Sequence, residues 1–170
     1  MSLLSCYKSQ TIENFVYYAY NLQRKDTLNI TAVFKKTGNS KGFLDIFSLK
    51  DDSLILHGRI LLDTFLEEGV YKCKVMLQKS GFTTPVYFGK LLKAKKLCID
   101  FKKAFKKVSG LKEKSLFAYD SEKGYIIIRG VKDKKKRGIM VEEEVYYWIF
   151  DKDLNVIRRV KTVERKLEEK

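Results

Sequence analysis

The feature that most constrains the fold is a succession of short segments rich in β-branched and aromatic residues, each closed by a turn. The segment VYKCKVMLQ (70–78) shows the pattern clearly, because its apolar residues alternate with Lys72 and Lys74 as on a half-buried strand. Loop signals such as GNSKG and LEEG separate neighbouring segments. The predicted strands are 29–37, 42–49, 54–62, 70–78, 84–92, 93–100, 115–120, 124–131, 139–151 and 156–163.

Two segments have helical spacing instead. The first, TIENFVYYAYNLQRK (11–25), places its apolar residues on one stripe and predicts an N-terminal helix. The second, FKKAFKKV (101–108), has four lysines around an apolar stripe and follows Asp100, which is suited to cap a helix. Its apolar stripe predicts that Phe101 and Phe105 anchor a short basic helix to the core.

These elements predict an α+β protein in which a single domain spans residues 1–170. We expect a mainly antiparallel, curved β-sheet or a partly open barrel, with an N-terminal helix and one short basic helix; an OB-type barrel is one version. The chain of 170 residues has no linker rich in Gly, Ser or Pro. A subdivision near 110–115 is the alternative.

The positive charge is clustered. The net charge is +14, and residues 79–114 contribute +9, with eleven lysines against Asp100 and Glu113. A second basic cluster lies at 129–138 in the sequence RGVKDKKKRG. Clustered lysines create a local field that attracts anionic partners, of which nucleic acid is the most common in a cytoplasm.

The sequence therefore predicts a nucleic-acid-binding protein that contacts phosphates without sequence specificity and stacks some bases on aromatic rings. Lysine supplies a point charge rather than the bidentate fork of arginine, so little base readout is expected. Single-stranded DNA or RNA suits a curved sheet better than duplex, because no recognition-helix motif is present. The predicted binding residues are Lys79, Phe82, Lys90, Lys93, Lys95, Lys96, Lys102, Lys103, Lys106, Lys107, Lys132, Lys134, Lys135, Lys136 and Arg137.

Two alternatives remain open at this point. A non-enzymatic interaction or accessory protein, of viral or plasmid origin or as a subunit of a complex, would present the same basic surface to a protein partner or a second copy. A metal-dependent nuclease would need acids from separate strands to converge. The candidate acids are Asp45, Asp51, Asp52, Asp63, Asp100, Glu142, Glu143 and Glu144.

The evidence for an enzyme is weaker than that for a binding protein. Phosphate-binding, nucleotide-binding, serine-hydrolase and zinc-protease motifs are absent from the sequence. His57 is predicted to be a strand residue that faces solvent or bonds to its neighbours. The glutamates at 142–144 are expected to pair with lysines on a neighbouring strand. Together with the missing motifs, this leads us to predict no metal, no cofactor and no catalytic residue.

The remaining expectations concern location and cysteine chemistry. The sequence shows no transmembrane segment and no secretory signal, which predicts a cytoplasmic protein. Cys73 and Cys98 lie among apolar residues and are predicted to be buried, reduced thiols. The abundance of Lys and Glu resembles a thermophile composition.

Overall fold

The fold was analysed in a computed structural model, which describes residues 9–11, 17–19, 27–50, 53–78, 86–99 and 101–168. Strands make up most of this part of the chain. They are β1 (Ser9–Thr11), β2 (Tyr17–Ala19), β3 (Thr27–Lys36), β4 (Lys41–Lys50), β5 (Ser53–Asp63), β6 (Gly69–Gln78), β7 (Val86–Lys96), β8 (Glu113–Asp120), β9 (Tyr125–Arg137), β10 (Met140–Phe150) and β11 (Val156–Leu167), and the helix is α1 (Phe101–Lys107).

The described residues fall into two compact units, which we treat separately. The barrel unit comprises the described residues from 17 to 99 together with 118–124, and the sheet unit comprises 9–11, 101–117 and 125–168. Strand β8 begins in the sheet unit and ends in the barrel unit.

The barrel unit is built around a closed ring of five strands in the order β4–β3–β6–β7–β5–β4. All neighbours in the ring are antiparallel except β5 and β7, which are parallel. This is a five-stranded Greek-key arrangement of the kind found in OB-type barrels. The seam that closes the ring is short, because β5 and β7 pair only over Arg59–Leu61 and Val86–Phe88.

Alternation along each strand fills the barrel interior. The core combines residues from all five strands: Ala32, Phe34, Leu44, Ile60, Leu62, Tyr71, Cys73, Val75 and Tyr87. Gly42 lies beside the Phe34 ring, and a Cβ atom there would come within 2.1 Å of it. The wall therefore needs glycine at this position so that the large ring can occupy the interior.

The sheet unit has the strand order β1–β11–β10–β9–β8. Strands β9, β10 and β11 form antiparallel ladders with long registers, and β1 joins β11 in parallel. The buried residues of this unit include Ile127, Val145, Tyr147, Ile149 and Val160. Helix α1 buries Ala104, and Val108 directly after it is buried as well.

The structure corrects the predicted fold class. The protein is mostly β, with a closed five-stranded barrel plus extra strands, instead of an α+β fold with a partly open barrel. Within the predicted N-terminal helix (11–25), the described residues form part of β1 and all of β2, and the rest lies outside the described residues. Tyr17 and Tyr18 favour a strand, and pairing of β2 with β5 outweighs the helical spacing of the sequence.

The basic helix is confirmed in outline. It spans Phe101–Lys107, with Ala104 and Val108 buried and Phe101 and Phe105 half-buried. The proposed cap, Asp100, lies outside the described residues. With seven residues, four of them lysine, the helix is too short and too polar to cross a membrane, and it is the only helix in the described ranges.

The prediction for the cysteines was right for one residue and wrong for the other. Cys73 points into the barrel core, whereas Cys98 follows the end of β7 and is exposed. Burial of Cys73 raises the pKa of its thiol to about 11, because the thiolate would lose its hydration.

We expect this difference to appear in thiol labelling. In a Cys6→Ser background, a disulfide reagent at neutral pH should modify Cys98 at once and Cys73 only after addition of denaturant, since the thiolate is the reactive form. The Cys98→Ser variant is the control, and it should show no rapid labelling. Rapid modification of Cys73 in the native protein would contradict the buried position.

Candidate nucleic-acid interface

Five lysines lie together on the outer face of β6 and β7, and we call this group the lysine patch. Its members are Lys72, Lys74, Lys90, Lys93 and Lys95, all exposed. The outward side of β6 alternates with the buried Tyr71, Cys73 and Val75. The patch is therefore a direct result of the period-two pattern that also fills the barrel.

The register of the two strands sets like charges against each other. Lys72 lies directly opposite Lys95, and Lys74 lies directly opposite Lys93. Residues in such cross-strand positions have Cβ atoms about 5 Å apart, and like charges there destabilise the pair. Along each strand, lysines two residues apart are separated by about 7 Å. Four of the five lysines of the patch therefore form a compact block of positive charge.

No carboxylate in the described ranges forms an ion pair with a patch lysine. In the barrel unit, Asp45 is engaged by Arg59 and Lys35, and Glu67 is engaged by Lys96 at 3.3 Å. The charge of the patch is therefore left without internal compensation.

Apolar side chains border the patch. Met76 is opposite Lys90, and the exposed Phe88 is opposite Gln78 on the same face. Phe88 is 41% exposed, while its neighbour Tyr87 points inward and is 5% exposed. This confirms that only one of the two adjacent aromatics lies on the outer surface.

A groove continues from the patch where β5 and β7 diverge. The two strands pair only over Arg59–Leu61 and Val86–Phe88. Beyond this point they enclose a cavity of about 560 Å³, of the size of ligand-binding clefts. Its lining combines an aromatic ring, charged groups and open backbone, and includes Lys41, Asp63, Gln78, Phe88, Lys90 and Leu91.

The structure gathers only some of the predicted binding residues into this surface. Lys90, Lys93 and Lys95 belong to the patch, while Lys96 on the same strand is paired with Glu67. Lys79 and Phe82 lie outside the described residues. Lys72 and Lys74 were not among the predicted site residues, although the alternation of VYKCKVMLQ already indicated that both are exposed.

The remaining predicted residues belong to the sheet unit. Lys102, Lys103 and Lys106 are exposed on α1, and Lys107 donates a hydrogen bond from its ammonium group to the carbonyl oxygen of Leu154 at 2.5 Å. That bond gives Lys107 a structural role at the end of the helix.

The second basic cluster forms the exposed end of β9, where acids compensate part of its charge. Lys134 contacts Glu113 at 2.7 Å, and Lys136 pairs with Glu168. The hydrogen bond from Lys134 lowers the pKa of Glu113. Within the described ranges, Lys132, Lys135 and Arg137 form no ion pair. This cluster is therefore closer to neutral than its sequence indicates.

The acidic run on β10 is used for cross-strand pairing, as predicted. Glu142 contacts Arg165 at 3.1 Å, Glu143 contacts Lys166 at 2.7 Å, and Glu144 contacts Lys161 at 2.8 Å. The hydrogen bond from Lys161 lowers the pKa of Glu144. These three ion pairs join β10 to β11.

The predicted acids do not form a metal site in the described part of the chain. No cluster of three or more His, Cys, Asp or Glu residues with metal-binding geometry is found there. Asp51, Asp52 and Asp100 lie outside it. His57 lies 2.7 Å from the hydroxyl of Ser48, which agrees with the prediction of a strand residue bonded to a neighbour.

Comparison with known proteins adds no further constraint, since no family model, no curated protein and no solved structure matches the chain significantly. Function must therefore be argued from the residues of the site.

Proposed function

We propose that this protein binds single-stranded nucleic acid without sequence specificity, and that the lysine patch on β6 and β7 contacts the phosphates. The observation that carries this proposal is that two pairs of lysines lie directly opposite each other across the ladder, Lys72 with Lys95 and Lys74 with Lys93. Each pair costs folding free energy, and no acid among the described residues offsets it. Functional sites commonly keep such unfavourable groups because a ligand needs them.

A polyanion is the ligand that best matches this surface. Phosphates of a nucleic acid strand follow one another at short intervals, so several of them contact a compact block of lysines together. Binding releases the counterions condensed on the strand, which supplies most of the affinity of such complexes. Because lysine reads phosphate charge and not base edges, the contact carries little sequence information.

The border of the patch favours single strands over duplex. Phe88 presents part of a ring beside Lys90, and the groove behind it is large enough for an unpaired base. Stacking of bases on aromatic side chains, combined with a basic surface that follows the backbone, is the usual basis of sequence-tolerant single-strand binding. A paired base is not accessible to such a ring.

The topology of the barrel agrees with this function without assigning it. OB-type barrels include many that bind oligonucleotides, often through the face of their second and third strands. The corresponding strands here are β4 and β5, and that face carries the compensated ion pair between Asp45 and Arg59. The two opposed lysine pairs lie on β6 and β7, where we place the contact.

The proposal predicts a strong dependence of affinity on salt. For five phosphate contacts to a single strand, log K should fall with log salt with a slope of about −3.5, or about a hundredfold between 50 and 200 mM. Fluorescence anisotropy with labelled homopolymer and mixed-sequence oligonucleotides, single-stranded and duplex, measures this slope. We expect affinities for different single strands within a few-fold of one another and weaker binding to duplex.

Two results would contradict the proposal. One is the absence of binding to any single strand at low salt. The other is binding whose affinity does not change with salt, which would exclude a phosphate contact through lysines.

A further inference from the structure

A second cavity lies in the sheet unit, remote in sequence from the lysine patch and independent of it. It has a volume of about 200 Å³ and is lined by Ser109, Gly110, Leu111, Lys132, Tyr146, Trp148 and Arg159. The lining thus contains two cationic groups and two aromatic rings. Among the described residues, no carboxylate lines it.

The register of the sheet explains how these groups meet. Trp148 on β10 is directly opposite Arg159 on β11, and Tyr146 is two residues along the same face of β10. The guanidinium carbon of Arg159 lies 5.4 Å from the centre of the Tyr146 ring and 5.5 Å from that of Trp148. Two cation–π contacts therefore fix the position of this arginine.

One hydrogen-bond donor of Arg159 is not used within the described chain. Its Nε atom is buried and has no hydrogen-bond partner there. Glu144, the acid next to this group on the same face, is already occupied: it accepts a hydrogen bond from the Tyr146 hydroxyl at 3.0 Å and pairs with Lys161 at 2.8 Å. A buried N–H donor without an acceptor is costly, and an ordered water or a bound ion is one way in which native proteins satisfy it.

Lys132 adds a second positive charge to the same cavity. It is exposed on β9, and among the described residues it forms no ion pair. Leu111, which also lines the cavity, packs directly on Gly130. A Cβ atom at position 130 would lie 2.1 Å from the leucine side chain, so glycine is needed there for this contact. The result is a small, partly apolar cavity with two cations at its wall.

We propose that this cavity binds a phosphate group, either inorganic phosphate or the phosphate of a small phosphomonoester. Arginine offers the planar set of donors that phosphate oxygens accept, and the lysine supplies additional charge. The volume of about 200 Å³ admits a phosphate with a small substituent but not a larger ligand.

The position of Trp148 gives a direct assay, because it is the single tryptophan of the chain. Titration of the full-length protein with inorganic phosphate, at constant ionic strength set by chloride, should produce a saturable change in tryptophan fluorescence. A parallel titration with methyl phosphate, a phosphomonoester small enough for the cavity, distinguishes the two sources. Tighter binding of the monoester would assign the site to a phosphorylated small molecule, and equal or tighter binding of inorganic phosphate would assign it to the free ion.

Two variants test the residues. Arg159→Gln should weaken phosphate binding about tenfold or more, as expected for the loss of a charge-assisted hydrogen bond. Lys132→Gln should weaken phosphate binding less, and because Lys132 is exposed we expect this variant to fold as the wild type does. The matched control is Arg165→Gln on the same strand, which removes the same charge from an exposed pair with Glu142 and should bind phosphate as the wild type does.

The proposal is overturned if the wild type shows no saturable response up to millimolar phosphate. It is equally overturned if Lys132→Gln and Arg165→Gln change the affinity to the same extent, since the effect would then come from net charge. Circular dichroism establishes that each variant is folded, so a loss of binding in Arg159→Gln is interpreted only with the native spectrum.

Discussion

Replacement of Lys72, Lys74, Lys93 and Lys95 together by glutamine is expected to remove most nucleic-acid binding and, at the same time, to stabilise the folded protein. The binding effect follows from counterion release. Four of the five patch charges are lost, so the slope of log K against log salt should change from about −3.5 to about −0.7. The hundredfold salt effect between 50 and 200 mM should shrink to about threefold.

The stability effect has the opposite sign because of the register. Lys72 with Lys95 and Lys74 with Lys93 are opposed like charges, and removal of both pairs relieves a repulsion worth about 1 kcal/mol in total. Urea unfolding should show a higher midpoint for the variant at low salt. Added salt should stabilise the wild type more than the variant, since it screens a repulsion that only the wild type has.

The matched control removes the same number of lysines elsewhere. Lys36, Lys50, Lys114 and Lys152 are exposed and belong neither to the lysine patch nor to the predicted binding residues, and replacing these four by glutamine lowers the net charge of +14 equally. We expect this control to keep most of the affinity and most of the salt slope. If it loses as much binding as the patch variant, the protein binds by net charge and not through the patch.

The sequence predicted the strands of the barrel well because each of them buries one face. The alternation in 70–78 matched β6, and the segments 42–49 and 54–62 lie within β4 and β5. The sequence was less informative where a β-bulge interrupts the alternation of inward and outward residues. Leu92 is an extra residue at a bulge between β6 and β7, so the outward positions shift from Lys90 to Lys93. Two strands were therefore predicted where β7 is continuous.

The same limit explains the lysines of the patch that sequence reasoning missed. A sum of charge along the chain does not single out Lys72 and Lys74, because residues 1–78 have nearly balanced charge. Their significance comes from the partners across the ladder, Lys95 and Lys93, which only the register reveals.

The converse holds for the basic cluster on β9. The sequence locates this cluster of lysines correctly. The ladders between β9, β10 and β11 then bring glutamates close to the lysines and compensate part of their charge. Lys134 has Glu113 and Glu143 within reach, and Lys136 has Glu168. A count of charges along the chain cannot distinguish a compensated cluster from an uncompensated one.

The second large effect concerns the barrel wall. Replacement of Arg59 by methionine is expected to destabilise the protein by about 2–3 kcal/mol, because it removes the nearer cation of a buried carboxylate. Arg59 donates two hydrogen bonds to the carboxylate of Asp45, from Nε at 2.7 Å and from Nη2 at 3.0 Å. Asp45 is only 2% exposed, and its other cation, Lys35, is 3.8 Å away. The variant leaves a buried carboxylate with one distant partner.

Removal of the acid, in Asp45→Asn, should lower the free energy of unfolding less than removal of the arginine, because Arg59 is much more exposed than Asp45. Arg59 is 41% exposed and its guanidinium also lies over the Phe43 ring at 4.2 Å, so it remains partly hydrated when Asp45 becomes asparagine. Urea unfolding should therefore give a larger loss for Arg59→Met than for Asp45→Asn. Combining Arg59→Met with Asp45→Leu removes both charges, and it should recover most of the lost stability, as is found when a buried ion pair is replaced by apolar groups.

An exposed ion pair provides the control for this asymmetry. Glu67 and Lys96 are 3.3 Å apart but 81% and 47% exposed, so Lys96→Met should change the free energy of unfolding by less than about 1 kcal/mol. Equal losses for Arg59→Met and Lys96→Met would mean that Asp45 is hydrated in solution. A larger loss for Arg59→Met, together with recovery in the double variant, would establish that the Asp45 carboxylate is buried in solution and that Arg59 compensates its charge.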